Sequence, residues 1–190
     1  GTAHLLDACR QQPSVQGIVI VTTDKCYENK EWTWGYREND RLGGHDPYSA
    51  SKAATEILVS SYQKSFFHIP NTPLLASVRA GNVIGGGDWA EDRLLPDFFR
   101  TVDTQKSLEV RSPRATRPWQ HVLEPLSGYL CVGQKLLEKR HEFAIPWNFG
   151  PGIEGNCTVI EVLQRLQRYW PSLSWKIAEN PQMHEAQLLH

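Results

Sequence analysis

Gly17-Ile18-Val19-Ile20-Val21-Thr22-Thr23-Asp24-Lys25 is a short apolar, β-branched run that ends abruptly in hydroxyl and charged residues. A continuous run of this kind, bounded by polar residues, predicts a strand buried on both faces of a parallel sheet. Leu74-Leu75-Ala76-Ser77-Val78-Arg79 predicts a second such strand, and Pro146-Trp147-Asn148-Phe149 a brief third. Helical patterns lie between and around them, over residues 2–12, after Asp46-Pro47, over 93–103 and over 123–138. Asp46 offers an N-cap and Pro47 a first helical residue, and Ala50, Ala53, Ala54, Ile57, Leu58 and Tyr62 are spaced for one buried face. Thr158-Val159-Ile160-Glu161 predicts a capping box that opens a last helix, running to about Trp170. Strands alternating with helices predict an α/β fold with a doubly wound parallel sheet.

In such sheets ligands bind beyond the carboxyl ends of the strands. Thr23-Asp24-Lys25 and Asn82 fall at those ends. Thr23 supplies a hydroxyl, Asp24 a carboxyl and Lys25 an amine to one sugar-sized substrate. A carboxyl that burial keeps protonated acts as an acid, and an ammonium that desolvation neutralises acts as a base. The plain structural reading of the same residues is a strand end turning into a loop. Tyr48 and Lys52 are four residues apart, so a helix places them on one face. An ammonium beside a phenol favours the phenolate, which lets a tyrosine serve as a proton acceptor. Alone, the same spacing also suits an exposed tyrosine and a solvated lysine.

The 190 residues carry 20 basic and 21 acidic side chains. That balance gives no field that would favour nucleic acid or an anionic membrane, so phosphate binding must rest on a few placed arginines. Arg93, Arg111, Arg114 and Arg117 lie near Trp89 and Trp119, and their planar forks match phosphate oxygens; for at least two, an ordinary surface position is the alternative. Arg117 is the preferred phosphate ligand, while His121 reads as a core or supporting histidine. Gly85-Gly86-Gly87 is not followed by the lysine of a P-loop, and reads as a loop over a substrate or a plain turn. Cys9, Cys26, Cys131 and Cys157 show no paired spacing and no metal-site pattern, so reduced thiols and a cytoplasmic location are expected, without a metal. No apolar run approaches membrane-spanning length. The chain starts at Gly1 in what reads as the middle of a helix, with Met183 its sole methionine, so it is expected to be a fragment of a longer protein.

With these residues in view, the chain resembles the extended short-chain dehydrogenase/reductase family. Tyr48-x-x-x-Lys52 is similar to its catalytic pair, and Thr23-Asp24 to its nucleotide-sugar 4,6-dehydratase branch. The blocks 85–97 and 117–126, with Lys25 where relatives acting on other nucleotide sugars usually carry glutamate, resemble the members that act on CDP-glucose. The resemblance implies a partial Rossmann-like domain with a smaller α/β substrate lobe. Residues 1–85 would be the C-terminal part of the NAD-binding domain. Residues 86–190 would be mainly the nucleotide-sugar lobe, interleaved with Rossmann elements over about 112–150. It further implies NAD as cofactor and a redox-neutral dehydration. Tyr48 would take the 4-hydroxyl proton, Lys25 the C5 proton, and Asp24 would protonate the departing 6-hydroxyl. Thr23 would bind the 4-oxygen, and Lys52 the nicotinamide ribose. Asn82, Arg93 and Arg117 would hold the diphosphate. The glycine-rich dinucleotide loop of the family lies before the region covered. A homodimer or homotetramer and a role in deoxysugar and lipopolysaccharide O-antigen biosynthesis are implied for the full-length protein. The alternatives are a dehydratase or epimerase using another nucleotide sugar, or a truncated, inactive nucleotide-sugar-binding module.

Overall fold

The computed structural model describes residues 1–104, 106–152 and 155–178. Residues 179–190 of the expected substrate lobe lie outside the described residues. The chain divides into two compact units. The first comprises residues 1–30, 36–81 and 122–150, and the second residues 31–35, 82–121 and 151–190.

The first unit is built on a parallel sheet in the order β1-β2-β7, with β1 at Gly17–Val21, β2 at Leu74–Ala80 and β7 at Pro146–Phe149. Gly17 pairs with Leu74 and Val21 with Val78; Ser77 pairs with Pro146 and Ala80 with Phe149. Helices α1 (Thr2–Arg10) and α2 (Pro47–Ser65) cover one face, and α4 (Leu123–Leu137) covers the other. The alternation along β2 explains this layering. Leu75 joins Leu6, Ile18, Ile20, Val59 and Phe67 in one core cluster, whereas Leu74, Ala76 and Val78 join Val132 and Leu136 in the other. The expected doubly wound α/β sheet is therefore present.

Two expectations need correction. β1 is not buried on both faces. Ile18 and Ile20 are buried on one face, whereas on the other Val19 is only partly buried against the α4 cluster and Val21 is 53% exposed. A run of β-branched residues records strand propensity, but the number of covered faces depends on what packs against each side. The buried stripe of α2 is also not the one its apolar residues suggest. Ser49, Ala53, Glu56 and Val59 are buried, while Ala50 and Ala54 are exposed and Ile57 is 59% exposed. The small Ser49 and Ala53 let the helix approach closely, and Glu56 is tolerated inside because its oxygens are hydrogen-bonded.

The start of α2 follows its sequence signals. Asp46 caps it by accepting from the Ser49 backbone N–H at 3.0 Å and from the Ser49 hydroxyl at 2.5 Å, with Pro47 in the first turn. Gly44 leaves no room for a side chain there. A Cβ would lie 2.5 Å from Ser49 Cβ and 2.6 Å from the Ala50 backbone nitrogen. Backbone atoms cannot swing aside, so Gly44→Ala must displace the first turn of α2. The expected cost is about 1–3 kcal/mol, read as a lower urea midpoint with an unchanged slope; an unchanged midpoint would show that this turn yields freely.

The second unit consists of short strand pairs and two helices. β3 (Val83–Ile84) pairs in parallel with β6 (Gln120–His121), and β4 (Leu108–Val110) in parallel with β9 (Trp175–Ile177). β5 (Thr116–Pro118) pairs antiparallel with β8 (Asn156–Thr158). Helices α3 (Leu94–Thr104) and α5 (Val159–Gln167) pack Phe98 and Leu163 against Leu108, Val110 and Leu173. The predicted Thr158–Glu161 capping box opens α5, which ends at Gln167, short of Trp170. Among the described residues no helix is long and apolar enough to cross a membrane.

Candidate functional site

In the first unit, β1 stops at Val21 and the chain turns through a one-turn 3-10 helix, Asp24–Cys26. Thr23 caps that turn by accepting from the Lys25 backbone N–H at 3.4 Å, and its hydroxyl donates to Asp24 Oδ1 at 3.0 Å. Thr23 is buried, Asp24 half-buried and Lys25 exposed, so hydroxyl, carboxyl and amine occupy one strand tip at graded depth. Helix α2 packs directly on this turn. Asp46, at the head of α2, is held below its ordinary value chiefly by its hydrogen bonds to Ser49, with the Lys25 charge adding in the same direction. The head of the Tyr48 helix and the Lys25 tip thus share one electrostatic neighbourhood.

Tyr48 is 52% exposed, and Lys52 Nζ lies 5.8 Å from the centroid of its ring, at the outer range of a cation–π contact. The helical spacing therefore delivers the pair that the sequence predicts. An accessible phenol and an ammonium on one face are the donor set that a ribose hydroxyl pair needs, so these residues fit the nicotinamide-ribose end of NAD.

Beneath this tip lies a network of buried polar groups. The carboxylate of Glu56 accepts from the Thr22 hydroxyl, from the Ser77 hydroxyl at 2.6 Å and from Arg79 Nη2 at 2.8 Å. The Glu56 and Arg79 side chains are only 2% and 3% exposed. Burial alone would raise the Glu56 carboxyl, but the hydrogen bonds from Arg79, Ser77 and Thr22 outweigh it and hold the group below the ordinary glutamate value. Arg79 Nη1 donates to Tyr27 Oη at 2.5 Å and to the Glu38 carbonyl at 3.1 Å, and Tyr27 donates to Asn148 Oδ1 at 2.7 Å. Burial pushes the Cys26 thiol up to about 12, so this cysteine, although at the tip, is no nucleophile. On α4, burial and then the Asp24 charge push the Tyr129 phenol up.

In the second unit, Asn82 leads into β3, and its carbonyl accepts from the Gln120 backbone at 3.0 Å. Arg93 is exposed and paired with Asp88 at 3.0 Å. Arg111 is paired with Asp92 at 3.0 Å. Arg117 is half-buried on β5, its Nη1 donating to the Thr116 carbonyl at 2.9 Å, and Arg114 is exposed. Gly87 sits in the glycine run with φ of 81°, a conformation that side chains disfavour. His121 is exposed on β6, which removes the reading of it as a core histidine. The short β3–β6 pair leaves its outer positions open. Sequence reasoning passed over Glu56 and Tyr129. The signal for Glu56 was available in its position, four residues after Lys52 and eight after Tyr48 on the same helix.

The profile of the NAD dependent epimerase/dehydratase family matches residues 1–145. The chain belongs to that family. Among relatives, it is 47% identical, along its whole length, to the CDP-glucose 4,6-dehydratase of Salmonella typhimurium, of which it spans 54%. It is 26% identical over 81% of its length to the dTDP-D-glucose 4,6-dehydratase of Dictyostelium discoideum, covering 35% of that protein. Among solved structures, 99% of the chain superposes on 56% of a Bacillus anthracis dTDP-glucose 4,6-dehydratase in complex with NAD, with a TM-score of 0.79 at 20% identity. A Bacillus cereus UDP-glucuronic acid 4-epimerase in complex with UDP-glucuronic acid and NAD gives a TM-score of 0.82 at 18% identity, with 99% of the chain covering 56% of that structure. These structural likenesses establish a shared Rossmann-type fold. The chain thus spans about half the length of the Salmonella relative and of these solved structures.

Proposed function

We propose that the full-length protein carrying this chain is a CDP-glucose 4,6-dehydratase. The observation that carries the reading is the packing of the Tyr48 helix on the Thr23-Asp24-Lys25 turn. That packing supports a hydroxyl, an acid, a base and a phenol–ammonium pair acting together beyond the carboxyl end of β1. A 4-epimerase needs only the phenol and a hydride carrier, so the added acid–amine couple supports elimination over epimerisation. The base preference is supported by the 47% identity to the Salmonella enzyme.

In this reading Tyr48 accepts the proton of the glucose 4-hydroxyl, and Thr23 holds the 4-oxygen by a hydrogen bond. Lys52 orients the nicotinamide ribose beside Tyr48. NAD, when bound, would supply the hydride acceptor for C4 and the hydride donor for C6. A C4 ketone would acidify the C5 proton; Lys25 would remove it and return it to C5 as C6 gains hydride, while Asp24 would protonate the 6-hydroxyl so that it leaves as water. Asn82, Arg93 and Arg117 hold the nucleotide diphosphate; Arg93 exchanges its exposed Asp88 partner for phosphate oxygens, a cheap exchange because a surface ion pair contributes little. Residues 1–85 are read as part of the cofactor domain and 86–190 mainly as the substrate lobe, with 112–150 interleaved. The reading extends to a cytoplasmic homodimer or homotetramer working in deoxysugar and lipopolysaccharide O-antigen biosynthesis.

The test is to supply the full-length protein with CDP-glucose and detect the 4-keto-6-deoxy sugar by mass spectrometry, expecting a product 18 Da lighter than substrate, the mass of one water. No product from CDP-glucose, with turnover of UDP- or dTDP-glucose instead, rejects the substrate assignment.

A further inference from the structure

We propose that Glu56 is a positioning residue that ties the catalytic face of α2 to the tip of β1 through Thr22, and so sets the place of Tyr48 relative to Thr23-Asp24-Lys25. The inference rests on the dehydratase reading for its kinetic consequence, but its geometry stands apart from it. Tyr48, Lys52 and Glu56 follow one another at four-residue steps along α2. The outer two turns present Tyr48 and Lys52, and the third turns inward. There Glu56 receives the Thr22 hydroxyl, one residue before Thr23, together with Ser77 and Arg79 from β2. Thr22 is itself fastened to β2, its backbone N–H donating to the Val78 carbonyl at 2.9 Å.

The arrangement has more contacts than burial of a lone carboxylate requires. The charge of Glu56 is already answered by Arg79, which continues through Tyr27 to Asn148 on β7. The Thr22 hydroxyl adds a bond from the residue that joins β1 to the reactive tip. A buried hydrogen bond in a fully connected network fixes geometry more strongly than it adds stability. Proton transfers at C4, C5 and C6 of one hexose demand that the phenol and the tip keep a constant spacing, and a displacement of about 1 Å is enough to slow such steps by up to about a hundredfold.

The test compares the full-length wild type with Thr22→Val and Thr22→Ser. The valine is nearly isosteric, removes the hydroxyl that reaches Glu56 and, at 3.4 Å, the Val78 carbonyl, and leaves Ser77 and Arg79 on Glu56. Two readouts are taken. In Thr22→Val, kcat for CDP-glucose should fall about 10–100-fold with KM unchanged, and Thr22→Ser should restore it. By hydrogen–deuterium exchange, the peptide over Thr22–Tyr27 should exchange at least about tenfold faster, with α4 unchanged. Wild-type exchange at the tip in Thr22→Val overturns the clamp whatever kcat does. A uniform rise that includes α4 overturns it as well, because it reports general loosening. Should the wild type form no product from CDP-glucose, the functional reading fails, and the exchange measurement still decides the clamp.

Discussion

Tyr48→Phe in the full-length protein should abolish most C4 oxidation, with kcat falling by about 10²–10⁴-fold, the range that a positioned proton acceptor supplies. The ring of Tyr48 is 52% exposed and the Lys52 ammonium sits 5.8 Å from its centroid, so removing one oxygen disturbs neither packing nor helix. KM for the nucleotide sugar should hold, since the diphosphate ligands proposed on Asn82, Arg93 and Arg117 are untouched. The decisive measurement is single-turnover formation of reduced nicotinamide. A variant that still reduces the cofactor at the wild-type rate removes Tyr48 from the proton path. A variant with a raised KM and normal kcat would make Tyr48 a binding residue instead.

The second large effect is on stability. Glu56→Ala leaves the Arg79 guanidinium 3% exposed with no counter-charge. Breaking one partner of such a buried pair costs about 3–5 kcal/mol; Ser77 also loses its acceptor, and Thr22 keeps only the Val78 carbonyl at 3.4 Å. Urea unfolding should show this as a large drop in midpoint, and a shift under about 1 kcal/mol would mean that water reaches the site and replaces the carboxylate. The pH dependence carries a sign. The folded Glu56 carboxyl titrates below its ordinary 4.5, so its contribution is fully present above that pH and is lost as pH falls through the lower folded value. Wild type should therefore lose this increment on acidification below about 4.5, whereas Glu56→Gln, with nothing to titrate there, should start lower and stay flatter.

Local signals in the chain were reliable where the cause was local. Asp46-Pro47 caps α2 because an N-cap depends on residues within one turn, and the same holds for Thr158–Glu161 at the head of α5. The Tyr48–Lys52 pairing follows from helix geometry alone. β2 is buried along its whole length, as its apolar-rich run suggests, with Ser77 and Arg79 bonded to Glu56. The reading failed where a partner distant in sequence decides. The apolar pattern of α2 pointed to Ile57 and Ala54, but the buried stripe passes through Glu56, because Arg79, 23 residues on, presents itself to that face of the sheet. β1 has the composition of a doubly covered strand, yet Val21 is exposed. The two-residue strands β3 and β6 are too short for any periodicity to register.

The order of residues along the chain was sufficient to determine an α/β alternation, three parallel strands, the helix heads and the chemistry available at the end of β1, since each depends on neighbours within a turn or a strand. Only the folded structure decided that α2 leans on the Asp24–Cys26 turn, that a glutamate rather than an isoleucine faces inward, and that Thr22, Ser77 and Arg79 close around it. Those choices compare the desolvation of charged groups with the bonds they regain from segments far along the chain, and that balance exists only once the segments meet.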